Sequence, residues 1–316
     1  MLVDQIRTEL MRLPQVASWE QMRELVHRPT DDRSMACWDY TVRACRAVGG
    51  TQEQAVPGAA AIFCMMYSIH LVDDMLDEDP RGLYHDVGAG TVANLAVAFQ
   101  AAGQVLLEEA GIPSEVRVTV QDDLARTALA TAYGQHLDLS GLEGEEEYWR
   151  IVENKAPPLF GSALYLGAVL GGAAVETARG IQRLGSVLGK STQVSDDLMD
   201  ALEEPARPDW QSRWNNLPIL YAMTAEHPDR GRFLELVSEV EDPEALAEAQ
   251  EILVRSGAVS FCTYQLVELQ RDARRQLERL TLPDSGPIEE LLEHHSRPLR
   301  SLLRRIGVES PEALLA

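Results

Sequence analysis

The chain has 316 residues, 45% of them hydrophobic, with 28 basic and 50 acidic side chains and a formal charge of −22. That length admits two average domains or one large helical one, and the apolar share supports a substantial core. The acidic excess argues against a nucleic-acid partner and against docking on anionic lipid, both of which lean on Lys and Arg. An anionic ligand would have to be drawn by bound metal and a few local cations.

In chain order, residues 1–13 mix apolar positions with Asp4, Glu9 and two arginines, so no signal peptide is expected there. Apolar residues then recur at three- and four-residue spacing almost throughout, while two-residue alternation is scarce. Gly49-Gly50, Asp79-Pro80, Gly111, Gly141 to Gly144, Pro205 to Pro208, His227-Pro228, Asp242-Pro243 and Leu282-Pro283 punctuate the periodic segments. About ten helices with short connections follow, forming one all-α domain over 1–316 without a linker. The uncharged stretch 156–175 holds two prolines and many small residues, which suits a close-packed buried helix better than a membrane span. Cys37, Cys45, Cys64 and Cys262 show no C-x-x-C pairing, which points to free thiols in a reducing compartment and a cytoplasmic protein.

One short acidic word occurs twice: Asp73-Asp74-Met75-Leu76-Asp77 and Asp196-Asp197-Leu198-Met199-Asp200. In a helix, residues four apart share a face, so Asp73 stacks with Asp77 and Asp196 with Asp200. A single such word is usually a solvated face in an acidic chain. Two copies with identical spacing, both set in apolar sequence, point instead to carboxylates held by a hard divalent cation. Mg²⁺ prefers one or two carboxylates plus phosphate oxygens, so the repeat implies a diphosphate gripped between two acidic helices of a bundle.

The surrounding motifs resemble the trans-isoprenyl diphosphate synthases, the polyprenyl synthetase family, over nearly the full length. The first acidic word with Arg81-Gly82, Gly134-Gln135 with Asp138-Leu139, Glu147-Tyr148, Lys155, Leu159-Phe160, the Gly167 to Ala173 run, Gln193 with the second word, and Asn216-Leu217-Pro218 follow in the family's order. The resemblance implies a helical bundle around a central cavity and a Mg²⁺-dependent prenyltransferase acting on a prenyl diphosphate. It implies that Asp73, Asp77, Asp196 and Asp200 hold metal, with Asp74 and Asp197 beside them in the catalytic set. Lys155, Gln135, Gln193 and Arg81 are expected at the diphosphate. The helix before the first word, including Ser68 and Ile69, is expected to wall the prenyl chain; the small Ser68 favours C15 to C20. A homodimer is likewise implied.

The chain departs from the family on the acceptor side. The usual Gly-Gly-Lys-Arg-x-Arg-Pro segment is replaced by Val26-His27-Arg28-Pro29-Thr30-Asp31-Asp32-Arg33, with two aspartates where isopentenyl diphosphate needs cations. No lysine follows the second word. Three readings stay open: a synthase with a diverged acceptor site, a class I terpene cyclase, and a regulatory subunit that keeps the fold.

Overall fold

The computed structural model describes residues 2–28, 37–141, 143–305 and 311–315. Among them all regular structure is helical. In chain order come α1 (Leu2–Met11), α2 (Pro14–Ser18), α3 (Glu20–His27), α4 (Cys37–Ala47), α5 (Gln52–Leu76), α6 (Tyr84–Val87), α7 (Ala89–Glu109), α8 (Ser114–Asp138) and α9 (Glu145–Asn154). Then follow α10 (Pro157–Leu170), α11 (Val175–Ala201), α12 (Asp209–Ser212), α13 (Leu217–Thr224), α14 (Arg230–Leu236), α15 (Pro243–Arg255), α16 (Ala258–Glu278), α17 (Gly286–Arg305) and α18 (Pro311–Leu315). The surplus over the expected count includes pieces of four or five residues, α2, α6, α12 and α18. Loop segments rich in proline and glycine close single helical turns that periodicity does not register.

The chain divides into two compact units, residues 1–132, 158–186 and 275–295 in the first and 133–157, 187–274 and 296–316 in the second. In the first, α5 packs against α1, α4 and α7. Its start is fixed by a capping box, in which Thr51 and Gln54 satisfy each other's backbone N–H groups. An aromatic column of Trp38, Phe63, Tyr67 and Phe99 joins α4, α5 and α7, with ring centroids 4.7–5.2 Å apart. Helices α5 and α7 are long and apolar enough to cross a membrane by length and composition, yet 61% of the α5 window is buried in protein. In the second unit, Trp210, Phe233 and the α13–α15 helices form one apolar cluster, and Tyr148, Val194, Leu217 and Leu266 belong to another. All four cysteines are buried free thiols.

The small residues of α10 allow backbones to meet. A Cβ on Gly167 would fall 2.0 Å from the Thr41 carbonyl oxygen, and one on Gly161 would lie 2.9 Å from Ser186 Oγ. On α11, a Cβ on Gly185 would lie 2.6 Å from the Phe160 carbonyl oxygen. Gly167→Ala is therefore expected to destabilise the protein by about 3 kcal/mol, since backbone cannot yield as a side-chain tip can. Thermal unfolding should shift down by roughly 5–10 °C; an unchanged melting temperature would show that α4 and α10 separate freely.

Candidate active site

The first acidic word closes α5. Asp73 and Asp74 are half-buried and Asp77, the C-cap, is exposed, its N–H donating to the Asp73 carbonyl oxygen at 2.9 Å. Carboxylates here face the negative end of the helix dipole, which disfavours them by roughly 0.3–1 kcal/mol each. Burial pushes the Asp74 carboxyl up, and Asp79 and Asp73 add to it, while His70 and Arg81 oppose. Arg81 is exposed and holds Asp79 in a two-pronged pair, Nη2 to Oδ2 at 2.7 Å and Nε to Oδ1 at 3.1 Å. One turn back on α5, Ser68 is buried and Ile69 half-buried.

The second word closes α11, again at the negative end. Asp196 reaches solvent, yet surrounding protein crowds it enough that desolvation, aided by Asp200 and Asp209, lifts its carboxyl to about 7. Asp200 is half-buried and also raised, by desolvation and then by Asp209, against the pull of Arg207. The Arg207 guanidinium lies 3.4 Å from Asp200 and 3.0 Å from Glu203, a cation already drawn to this face. The donors that each acidic word offers are carboxylate oxygens, which fits a hard cation such as Mg²⁺. No three His, Cys, Asp or Glu side chains among the described residues form a ready-made cage.

Asp197 stands apart from its neighbours. It is 2% exposed, and its Oδ2 accepts from the Tyr148 hydroxyl at 2.6 Å and from the Leu217 N–H at 3.0 Å. Its Oδ1 accepts from Gln193 Nε2 at 3.0 Å, so the Gln193 amide expected at the diphosphate is turned onto this carboxylate. Asn216, the N-cap of α13, donates to the Asp197 carbonyl oxygen at 2.9 Å. Burial lifts the Asp197 carboxyl to about 7 against these hydrogen bonds, which pull it down.

Lys155 pairs with Asp138, bringing together two residues 17 apart in sequence. Gln135, one turn before Asp138 on α8, is buried. Asn215 Nδ2 donates to the Asp138 carbonyl oxygen at 2.8 Å. Lys155→Ala is expected to weaken diphosphate binding by about 1.5–3 kcal/mol, the worth of one charge-assisted hydrogen bond. Calorimetric titration with inorganic diphosphate and Mg²⁺ measures it, and parental affinity in the variant would remove Lys155 from the site.

On the acceptor side, Arg28 is exposed and its carbonyl oxygen accepts from Arg7 Nη2 at 3.0 Å. Asp31, Asp32 and Arg33 lie outside the described residues. Sequence reasoning missed Asp209, whose charge bears on Asp196, Asp197 and Asp200. Only its position nine residues after Asp200, heading the four-residue α12, offered a signal.

Residues 33–254 match the polyprenyl synthetase family, and the chain belongs to it. Membership supports an enzyme that transfers prenyl groups from prenyl diphosphates. Among curated proteins the chain is 28% identical over 264 residues to a nonaprenyl diphosphate synthase of Mycobacterium tuberculosis, covering 78% of this chain and 76% of that one. Among solved structures, a geranylgeranyl pyrophosphate synthetase from Pyrococcus horikoshii superposes with a TM-score of 0.78 at 20% identity, covering 97% and 95% of the two chains. A polyprenyl synthase from Caulobacter crescentus, complexed with calcium and isoprenyl diphosphate, superposes with a TM-score of 0.73 at 21% identity, covering 92% and 96%. Those structures share the all-helical fold.

Proposed function

We propose that this chain is a Mg²⁺-dependent prenyltransferase that ionises an allylic prenyl diphosphate of C10 to C20 and passes the prenyl group to an acceptor other than, or weaker in use than, isopentenyl diphosphate. The observation that carries it is the pair of acidic words, each placing its aspartates at the negative end of a long helix, where fold stability gains nothing from them. The Caulobacter crescentus polyprenyl synthase of the same fold is complexed with calcium, a hard divalent cation, and isoprenyl diphosphate. Mg²⁺ held by Asp73, Asp77, Asp196 and Asp200 would neutralise charge on the departing diphosphate. Lys155 donates to a phosphate oxygen, exchanging one anionic partner, Asp138, for another. Arg81, Gln135 and Gln193 stand near in sequence to the same groups, and Ser68 and Ile69 belong to the wall that keeps water from the allylic cation.

A cyclase is the second reading. The segment after the second word carries no lysine, and its Trp214 packs against both apolar clusters of the second unit. A purely regulatory subunit fits less well, because it has no use for two sets of repelling carboxylates. Incubation with Mg²⁺ and geranyl, farnesyl or geranylgeranyl diphosphate, each with and without isopentenyl diphosphate, separates the three. Elongated product marks a synthase, cyclic product a cyclase, and no diphosphate release from any substrate would sink the enzymatic reading.

We place the protein in the cytoplasm, without nucleic acid as a partner, and as a homodimer. On α7, Ala93, Val97, Ala101 and Val105 follow at four-residue steps on an exposed stripe, with Val97 65% exposed; on α8, Leu129 is 73% exposed. Light scattering at micromolar concentration should give about twice the monomer mass. Val97→Glu should shift that mass towards the monomer, and a parental protein that is already monomeric would overturn the dimer.

A further inference from the structure

We propose that Tyr148 and the N-terminus of α13 act through the buried Asp197 as positioning residues for Asp196 and Asp200. The proposal rests on the metal-site reading above.

Successive residues of a helix are turned by about 100° from each other, so Asp197 cannot share the face on which Asp196 and Asp200 stack. The structure shows what that side of α11 meets. Asp197 is buried, and three donors converge on its two oxygens from three elements: Tyr148 from α9, Leu217 from the first position of α13, and Gln193 from one turn back on α11. Its backbone carbonyl oxygen takes a fourth donor, Asn216. The positive end of α13 therefore points at a carboxylate, the favourable arrangement for a helix N-terminus.

Such a clasp answers a specific difficulty. The last two turns of α11 carry Asp196, Asp197 and Asp200 at the dipole's negative end, with Asp209 adding its charge. Mutual repulsion there favours fraying. Pinning Asp197 on α9 and α13 fixes both the rotation and the winding of this segment, and so fixes where its two outward carboxylates stand. A metal ligand must be held within about 0.5 Å of its productive place, and bonded, buried neighbours are what hold it there.

The test is calorimetric titration of Mg²⁺ with inorganic diphosphate into the parent and four variants, with melting temperatures recorded alongside. Asp197→Ala removes the acceptor of all three donors and should weaken binding at least thirtyfold. Asp197→Asn keeps one oxygen for Tyr148 and Leu217, while its amide meets a turned Gln193; it should return affinity to within about fivefold of the parent. Asp196→Asn, a change of the same chemistry at a ligand, should stay at least thirtyfold weak. Tyr148→Phe should weaken binding about fivefold at temperatures well below its melting point, where a purely structural loss would not be felt. If Asp197→Asn binds as poorly as Asp196→Asn, Asp197 is a ligand and the proposal falls alone. Parental affinity in Tyr148→Phe would also overturn it. If the parent binds no diphosphate with Mg²⁺, the metal-site reading falls and takes this proposal with it.

Discussion

Asp73→Ala and Asp196→Ala are each expected to lower turnover on an allylic diphosphate by on the order of a thousandfold or more while leaving the protein folded. Removing one preorganised donor at a developing oxyanion costs about 10²–10³ in rate, and loss of a shared ligand compromises a whole cation. Folding should not suffer. Asp196 stands with Asp200 and Asp209, whose charges both raise its carboxyl, so the variant relieves repulsion in the metal-free protein.

The same charges give a pH dependence with a definite sign. The Asp196 and Asp197 carboxyls sit at about 7 in the folded protein against an ordinary 3.8. The folded state therefore holds more protons between those values, and metal-free stability falls as pH rises from about 4 to about 7. For the buried Asp197 alone a rise of that size corresponds to on the order of 4 kcal/mol. Denaturant unfolding across that range in the presence of a chelator reads the slope. Flat stability would show that these two carboxyls are not raised by the fold, and turnover in Asp196→Ala within tenfold of the parent would place the chemistry elsewhere.

The second large effect concerns the acceptor. Isopentenyl diphosphate should saturate only at concentrations roughly a hundredfold above those of an ordinary synthase. Each missing charge-assisted hydrogen bond to phosphate costs about 1.5–3 kcal/mol, so two account for that factor or more. The segment that usually supplies them carries Asp31 and Asp32 here, leaving Arg28 and Arg33. Arg7, a further cation near Arg28, is spent on the carbonyl oxygens of Val26 and Arg28. On the donor side Lys155 remains, and Arg207 lies against Asp200. Titration of isopentenyl diphosphate at saturating farnesyl diphosphate decides the matter: saturation in the low micromolar range with clean elongation would make this an ordinary synthase.

Much of this was legible in the sequence because helices are periodic. The spacing of Asp73 with Asp77 and of Asp196 with Asp200 fixes a shared face by helical geometry alone, and the Gly/Ala run of α10 announces close packing. Asp197 was half legible: its rotation off the face follows from the helix, but its partners Tyr148 and Leu217 lie 49 and 20 residues away. The pairing of Lys155 with Asp138 and the turning of Gln193 onto Asp197 depend on tertiary packing that local spacing does not encode. Asp209 was missed for the same reason, standing on a four-residue helix too short to leave a pattern. The division into two compact units left no mark either, since it falls inside α8, α10, α11, α16 and α17 rather than at a linker.

The glycines at the meeting of α10 and α11 carry a consequence for motion. Where a Cβ at Gly185 would come within 2.6 Å of the Phe160 carbonyl oxygen, little side-chain volume separates the two helices. Side chains can hop between rotamers and so lubricate an ordinary interface; backbone in direct contact cannot. The seam should therefore open only with the whole first unit, and its amides should be among the last to exchange with deuterium.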